Sequence, residues 1–74
     1  MNKVQRSVLV AVRPVAERYG AHIDCASDRG HNVLIITLHG ITRRLNFASS
    51  PRDRDTMVPR VVRQVRQMLA EFPR

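Results

Sequence analysis

Asn32-Val33-Leu34-Ile35-Ile36-Thr37-Leu38 is a nearly unbroken apolar run held between two glycine turns, Asp28-Arg29-Gly30-His31 before it and His39-Gly40 after it. A short run of this kind, bounded by turn residues, reads as a central strand covered by its neighbours. Before it, Ala21-His22-Ile23-Asp24-Cys25-Ala26 alternates, with Ala21, Ile23 and Cys25 on one face and His22, Asp24 and Ala26 on the other. That is a half-buried strand. Ser27-Asp28-Arg29-Gly30 supplies the turn chemistry between the two runs. After it, Ile41 to Ala48 forms a third strand. Ile41, Leu45 and Phe47 share a face with Arg43, while Arg44 and Asn46 point away. Two tight turns make the three strands an antiparallel meander with the apolar run in the middle.

An amphipathic segment flanks the meander on each side. Residues 3–19 repeat Val8, Val12, Val15, Ala16 and Tyr19 at helical spacing, and Gly20 is a natural stop. Pro14 either kinks this helix or sits in the first turn of a shorter one starting near Val12. The closing helix begins within Ser49-Ser50-Pro51-Arg52-Asp53-Arg54-Asp55 and runs to about Phe72. Val58, Val61, Val62, Val65, Met68, Leu69 and Phe72 form its apolar stripe. Pro59 is expected in its first turn or at its entry, with Ser49, Ser50, Asp53, Asp55 or Thr56 as the cap. The expected fold is one α+β domain over residues 1–74, an α-β-β-β-α two-layer unit with both helices on one sheet face. Ile35 and Val65 are expected in its core, and His22, Asp24, Thr37 and Arg44 on the thinly covered face.

Seventy-four residues lie near the size at which one core only just offsets chain entropy, so a homodimer is one route to burying more surface. With no tryptophan, one tyrosine and two phenylalanines, the core is aliphatic. Net charge is +7 and uneven: residues 1–42 carry five basic and three acidic side chains, residues 43–74 eight and three. Arginine's planar fork suits phosphate, and the asymmetry points to a polyanion partner. The lone Cys25 reads as a small core residue in a reducing cytoplasm. Lys3 and Arg6 precede a short apolar stretch that Arg13-Pro14 interrupts, which is neither a signal peptide nor a membrane span.

Three features carry chemistry. Gly30-His31 exposes a histidine at a turn, where it can serve in acid–base work on a phosphodiester, and glycine lets a nucleic-acid backbone approach closely. The same dipeptide also fits an ordinary β-turn. Arg60, Arg63 and Arg66 recur every third residue along the last helix, and Arg52 and Arg54 precede or open it. Free amides, helix dipole and guanidinium charge add there for a phosphate, against the bland alternative of a solvated face in which Asp53 and Asp55 pair with the arginines. His22 and His39 have no recognised metal-ligand spacing, and no metal or cofactor is expected. There is no P-loop, no dinucleotide fingerprint and no aromatic platform for reading bases on the sheet.

Taken together, these residues resemble the HicA-like small domains, which include the HicA mRNA interferase toxins and related phage and prophage proteins. The shared pattern is a leading helix ending in Gly20, a Gly30-His31 pair before a central strand, Gly40 before the third strand, and a polar loop into a final helix, over roughly residues 8–70. The resemblance implies a fold similar to a double-stranded-RNA-binding domain, and it carries the toxins' catalytic histidine to His31 and its flanking glycine to Gly30. The toxins typically have a Gly-Ser-His order, whereas here His31 follows Gly30 directly, and the 49–55 segment looks more like the phage-borne relatives.

The expected function is a small basic cytoplasmic nucleic-acid-binding protein of phage or mobile-element origin. RNA is expected over DNA, contacted by Arg29, Gly30, Arg52, Arg54, Arg60, Arg63 and Arg66. One alternative is an endoribonuclease toxin with His31 as general acid or base, which implies an antitoxin partner. The other is a phage interaction protein whose basic face meets an acidic host protein.

Overall fold

The computed structural model describes residues 2–47 and 54–73, Arg54 by its backbone only. The chain runs α1 (Lys3–Tyr19), β1 (His22–Asp28), β2 (His31–Leu38), β3 (Ile41–Phe47), α2 (Arg54–Ala70). The three strands form one antiparallel sheet in the order β1-β2-β3. Both helices pack on a single face of it, as the two apolar stripes require.

Both hairpins close through two residues of positive φ: Arg29 (52°) with Gly30 (82°), and His39 (54°) with Gly40 (78°). Two successive left-handed residues give the turn whose twist matches the flanking strands, and glycine takes the second position in each. The ladder therefore runs right up to the turn. Ser27 and Asp28 are in β1, paired with Asn32 and His31, rather than in a longer connection.

The register settles which side chains face the helices. Asn32, Leu34, Ile36 and Leu38 of β2 point inward, matched by Ile23 and Cys25 on β1 and by Ile41, Leu45 and Phe47 on β3. Ile35 thus faces away from the helices and is only half-buried, so the expectation that it belongs to the core is wrong by one residue. An all-apolar run carries no alternation to phase it. Leu34, Ile36, Val8, Val12 and Val65 are the largest fully buried side chains, so Val65 sits where the helical stripe put it.

α1 is continuous through Pro14, an exposed residue. Proline there cannot bond the carbonyl of Val10, and both residues lie on the exposed side of the helix, Val10 being 63% exposed. α1 starts with a capping box: Asn2 Oδ1 accepts from the Gln5 amide at 2.8 Å, and Gln5 Oε1 accepts from the Asn2 amide at 3.2 Å. It ends at Gly20 (φ 72°), where the amides of Gly20 and Ala21 return to carbonyls of the last turn. In α2, Pro59 is the sixth residue, not in the first turn as expected. It too is exposed, and the packing of Met57, Val61, Val65 and Leu69 outweighs the roughly 3 kcal/mol that an interior proline costs. The cap candidates Ser49, Ser50 and Asp53 lie outside the described residues, as does Ala48 at the expected end of the third strand. No described helix is long and apolar enough to cross a membrane.

Candidate nucleic-acid interface

The start of α1 is held to the β1–β2 end of the sheet by a buried polar knot that hydrophobic periodicity does not reveal. Gln5 (5% exposed) and Asn32 (2% exposed) meet between α1 and β2. Gln5 Nε2 donates to Asn32 Oδ1 at 3.1 Å, to Ser27 Oγ at 3.1 Å and to the Ala26 carbonyl at 3.4 Å. Asn2 Nδ2 reaches Asn32 Oδ1 at 3.4 Å. The start of α1 is thereby tied to the β1–β2 hairpin, one residue from His31. An N-cap asparagine three residues before a glutamine was the available signal for the cap; nothing local announced Asn32 as its partner.

This anchored hairpin presents Arg29, Gly30 and His31, all exposed. His31 pairs across the ladder with Asp28, on the sheet face turned away from the helices. The same face carries the rows His22–Thr37–Thr42 and Asp24–Ile35–Arg44. His22 therefore sits at the far end of the sheet from His31, and His39 lies in the other hairpin turn. Among the described residues no group of three or more His, Cys, Asp and Glu comes together as a metal site.

α1 and α2 run side by side in the same direction. Ser7 shares a cleft with Asp55, Val58 and Pro59, and further along Val15, Arg18 and Tyr19 share one with Arg66. Both helices thus begin at the end of the molecule where the β1–β2 turn lies. Arg60, Arg63 and Arg66 are exposed along α2, spread over roughly 120° at 100° per residue, with Arg66 on the side nearest α1. Arg52 lies outside the described residues, and Arg54 opens α2. Asp55, which might have neutralised this surface, is exposed and unpaired; no ion pair forms among the described residues. Of the thirteen basic residues, the ten with described side chains (all but Arg52, Arg54 and Arg74) are all exposed.

Two arginines of β3 behave differently. Arg44 belongs to the helix-free face, as its alternation implied. Arg43 lies on the helix side, its guanidinium 5.9 Å from the centre of the Phe72 ring, in a cleft with Met68 and Glu71. Cys25 is half-buried against the core, and burial, with the Asp24 charge second, pushes its thiol from an ordinary 9.0 up to about 11. A thiol held protonated is a poor nucleophile, in keeping with a packing role. Tyr19, read from the sequence as part of the apolar stripe, is 40% exposed and leaves the core.

Compared with protein-family models, curated proteins and solved structures, the chain shows no match to any of them.

Proposed function

We propose that this chain is a small nucleic-acid-binding protein, with RNA its preferred partner, of the HicA-like kind found in phages and mobile elements. One observation carries the reading: every described basic side chain is exposed and none has an acidic partner. A surface of net charge +7 left unneutralised in this way raises the local concentration of a polyanion and releases its counterions on contact. Arg60, Arg63 and Arg66 supply phosphate contacts along α2, with Arg52 and Arg54 at its start. The tight Arg29-Gly30 turn offers a second contact with little side-chain bulk in the way. Incubation with labelled RNA and DNA of matched length tests this. Retention that falls steeply with salt, and is stronger for RNA, is expected. Salt-insensitive retention, or none, refutes it.

The second reading, an endoribonuclease using His31, is favoured by the Asp28–His31 pairing. It puts Asp28 across the ladder from an exposed His31 on the same sheet face, without a hydrogen bond or ion pair between them in the free protein, so any proton-transfer role falls to His31 itself. On this reading His31→Ala loses ~10²–10⁴-fold in cleavage rate with folding and RNA retention unchanged, while His22→Ala and His39→Ala are mild. An antitoxin would then be the protein partner. Absence of cleavage by the parent protein at saturating RNA removes this reading and leaves the first intact.

A further inference from the structure

Arg66 is exposed but also borders the neighbouring helix. It lines a cleft of about 300 Å³ between the helices with Val15, Arg18 and Tyr19. Two arginine side chains line this space, and neither is paired with a carboxylate among the described residues. Like charges gathered in one cleft repel unless an anion lies between them. The acid nearest in sequence, Glu17, turns instead into a separate cleft with Arg13, Ala21 and Ile23. The carbonyls at the end of α1 would disfavour an anion, but two of them, on Ala16 and Glu17, are already bonded by the amides of Gly20 and Ala21. The fourth lining group, Tyr19, is 40% exposed in a chain whose two phenylalanines, Phe47 and Phe72, are buried.

We infer that this cleft seats one nucleotide unit of a single-stranded nucleic acid, its phosphate between Arg18 and Arg66 and its base against the Tyr19 ring. The volume is at the small end of the range for ligand sites and matches one such unit rather than a duplex. Arginine forks suit the phosphate oxygens, and ring stacking tolerates any base. The site rests on the nucleic-acid reading and extends it, because Arg18 and Tyr19 lie on α1, outside the surface assigned above.

Tyr19 is the sole tyrosine and there is no tryptophan, so intrinsic fluorescence reads this cleft alone. The parent protein is titrated with a short oligouridylate, with uridine monophosphate, with an abasic oligomer and with an RNA duplex. Quenching of Tyr19 by the oligouridylate, weaker quenching by the abasic oligomer and none by the duplex is expected. Equal quenching by the mononucleotide at matched concentration would make the free nucleotide the ligand. By anisotropy of a labelled oligomer, Tyr19→Ala should weaken binding roughly five- to hundred-fold. Tyr19→Phe should retain it, and Arg18→Gln should weaken it while thermal unfolding stays near the parent's. Unquenched Tyr19 in a protein that still retains RNA through Arg60 and Arg63 overturns the cleft and spares the wider reading. Failure to retain any nucleic acid overturns both.

Discussion

Gln5→Met tests the polar knot with almost no change in shape. Both side chains are unbranched, of similar length and comparable helix propensity, so α1 and its packing are preserved. What disappears is the donor set. Asn32 Oδ1 loses its 3.1 Å partner in a position 2% exposed to solvent. Ser27 is exposed and its hydroxyl turns to water, as does the Asn2 amide released from the capping box. The dominant loss is therefore a donor to two acceptors, the Ala26 carbonyl and a buried Asn32 Oδ1 that still has Asn2 Nδ2 at 3.4 Å, about 1–3 kcal/mol in all. In a domain of 74 residues that lowers the melting temperature by roughly 5–20 °C and the urea midpoint at unchanged slope. Gln5→Glu provides a signed control. A carboxyl placed there is desolvated against the Asn32 and Ala26 oxygens, which outweighs the Asn2 amide and helix start that favour its charge, so its folded pKa rises above ~4.3. An acid raised in the folded state costs little below its unfolded pKa and progressively more as pH climbs through its folded one. The variant should be near the parent at pH 3.5 and clearly weaker at pH 7. A Gln5→Met protein within about 0.5 kcal/mol of the parent, with no pH trend in Gln5→Glu, would mean that water reaches the knot.

Val65→Ala should cost about 1–3 kcal/mol by denaturant unfolding, from lost burial and a partial cavity. Ile35→Ala should cost less than about 1 kcal/mol, since that side chain faces away from the helices; equal losses would mean the sheet was assigned the wrong inner face. Cys25, raised to about 11, should alkylate slowly at pH 8 in the folded protein, with a rate midpoint near that value rather than near 9.0. Because the folded thiol is the weaker acid, its contribution to stability is whole below pH 9 and is lost as pH rises toward about 11, a loss that Cys25→Ser should remove. A midpoint at the ordinary value would place the thiol in water.

The meander was readable because glycine occupies the second position of each hairpin turn, where φ is 82° at Gly30 and 78° at Gly40. The helices were readable because Val8, Val12, Val61 and Val65 recur at the helical period and are all buried. The phase of β2 was not readable, since Val33-Leu34-Ile35-Ile36 is apolar on both faces. Pro59 broke a local rule that tertiary packing overrode. Gln5 and Asn32, 27 residues apart, had no local signal linking them. At the interface, the arginines of α2 were legible as a spaced row, but the pairing of Arg66 with Arg18 and Tyr19 depends on how α1 lies beside α2. No spacing within one helix carries that. The Asp28–His31 pairing was not legible, since Asp28 read as part of the turn; it and the distance of His22 and His39 from His31 follow from the register.

Salt dependence of RNA binding tests the central claim most directly. The logarithm of the association constant is plotted against the logarithm of salt concentration for the parent and for the double variant Arg60→Ala with Arg63→Ala. Both residues are exposed and unpaired, so the fold is expected to survive the change. The parent should show a steep negative slope. The variant should bind more weakly on every sequence and lose about one unit of slope for each arginine removed. A folded variant with the parent's slope, or a parent whose binding ignores salt, would contradict the account.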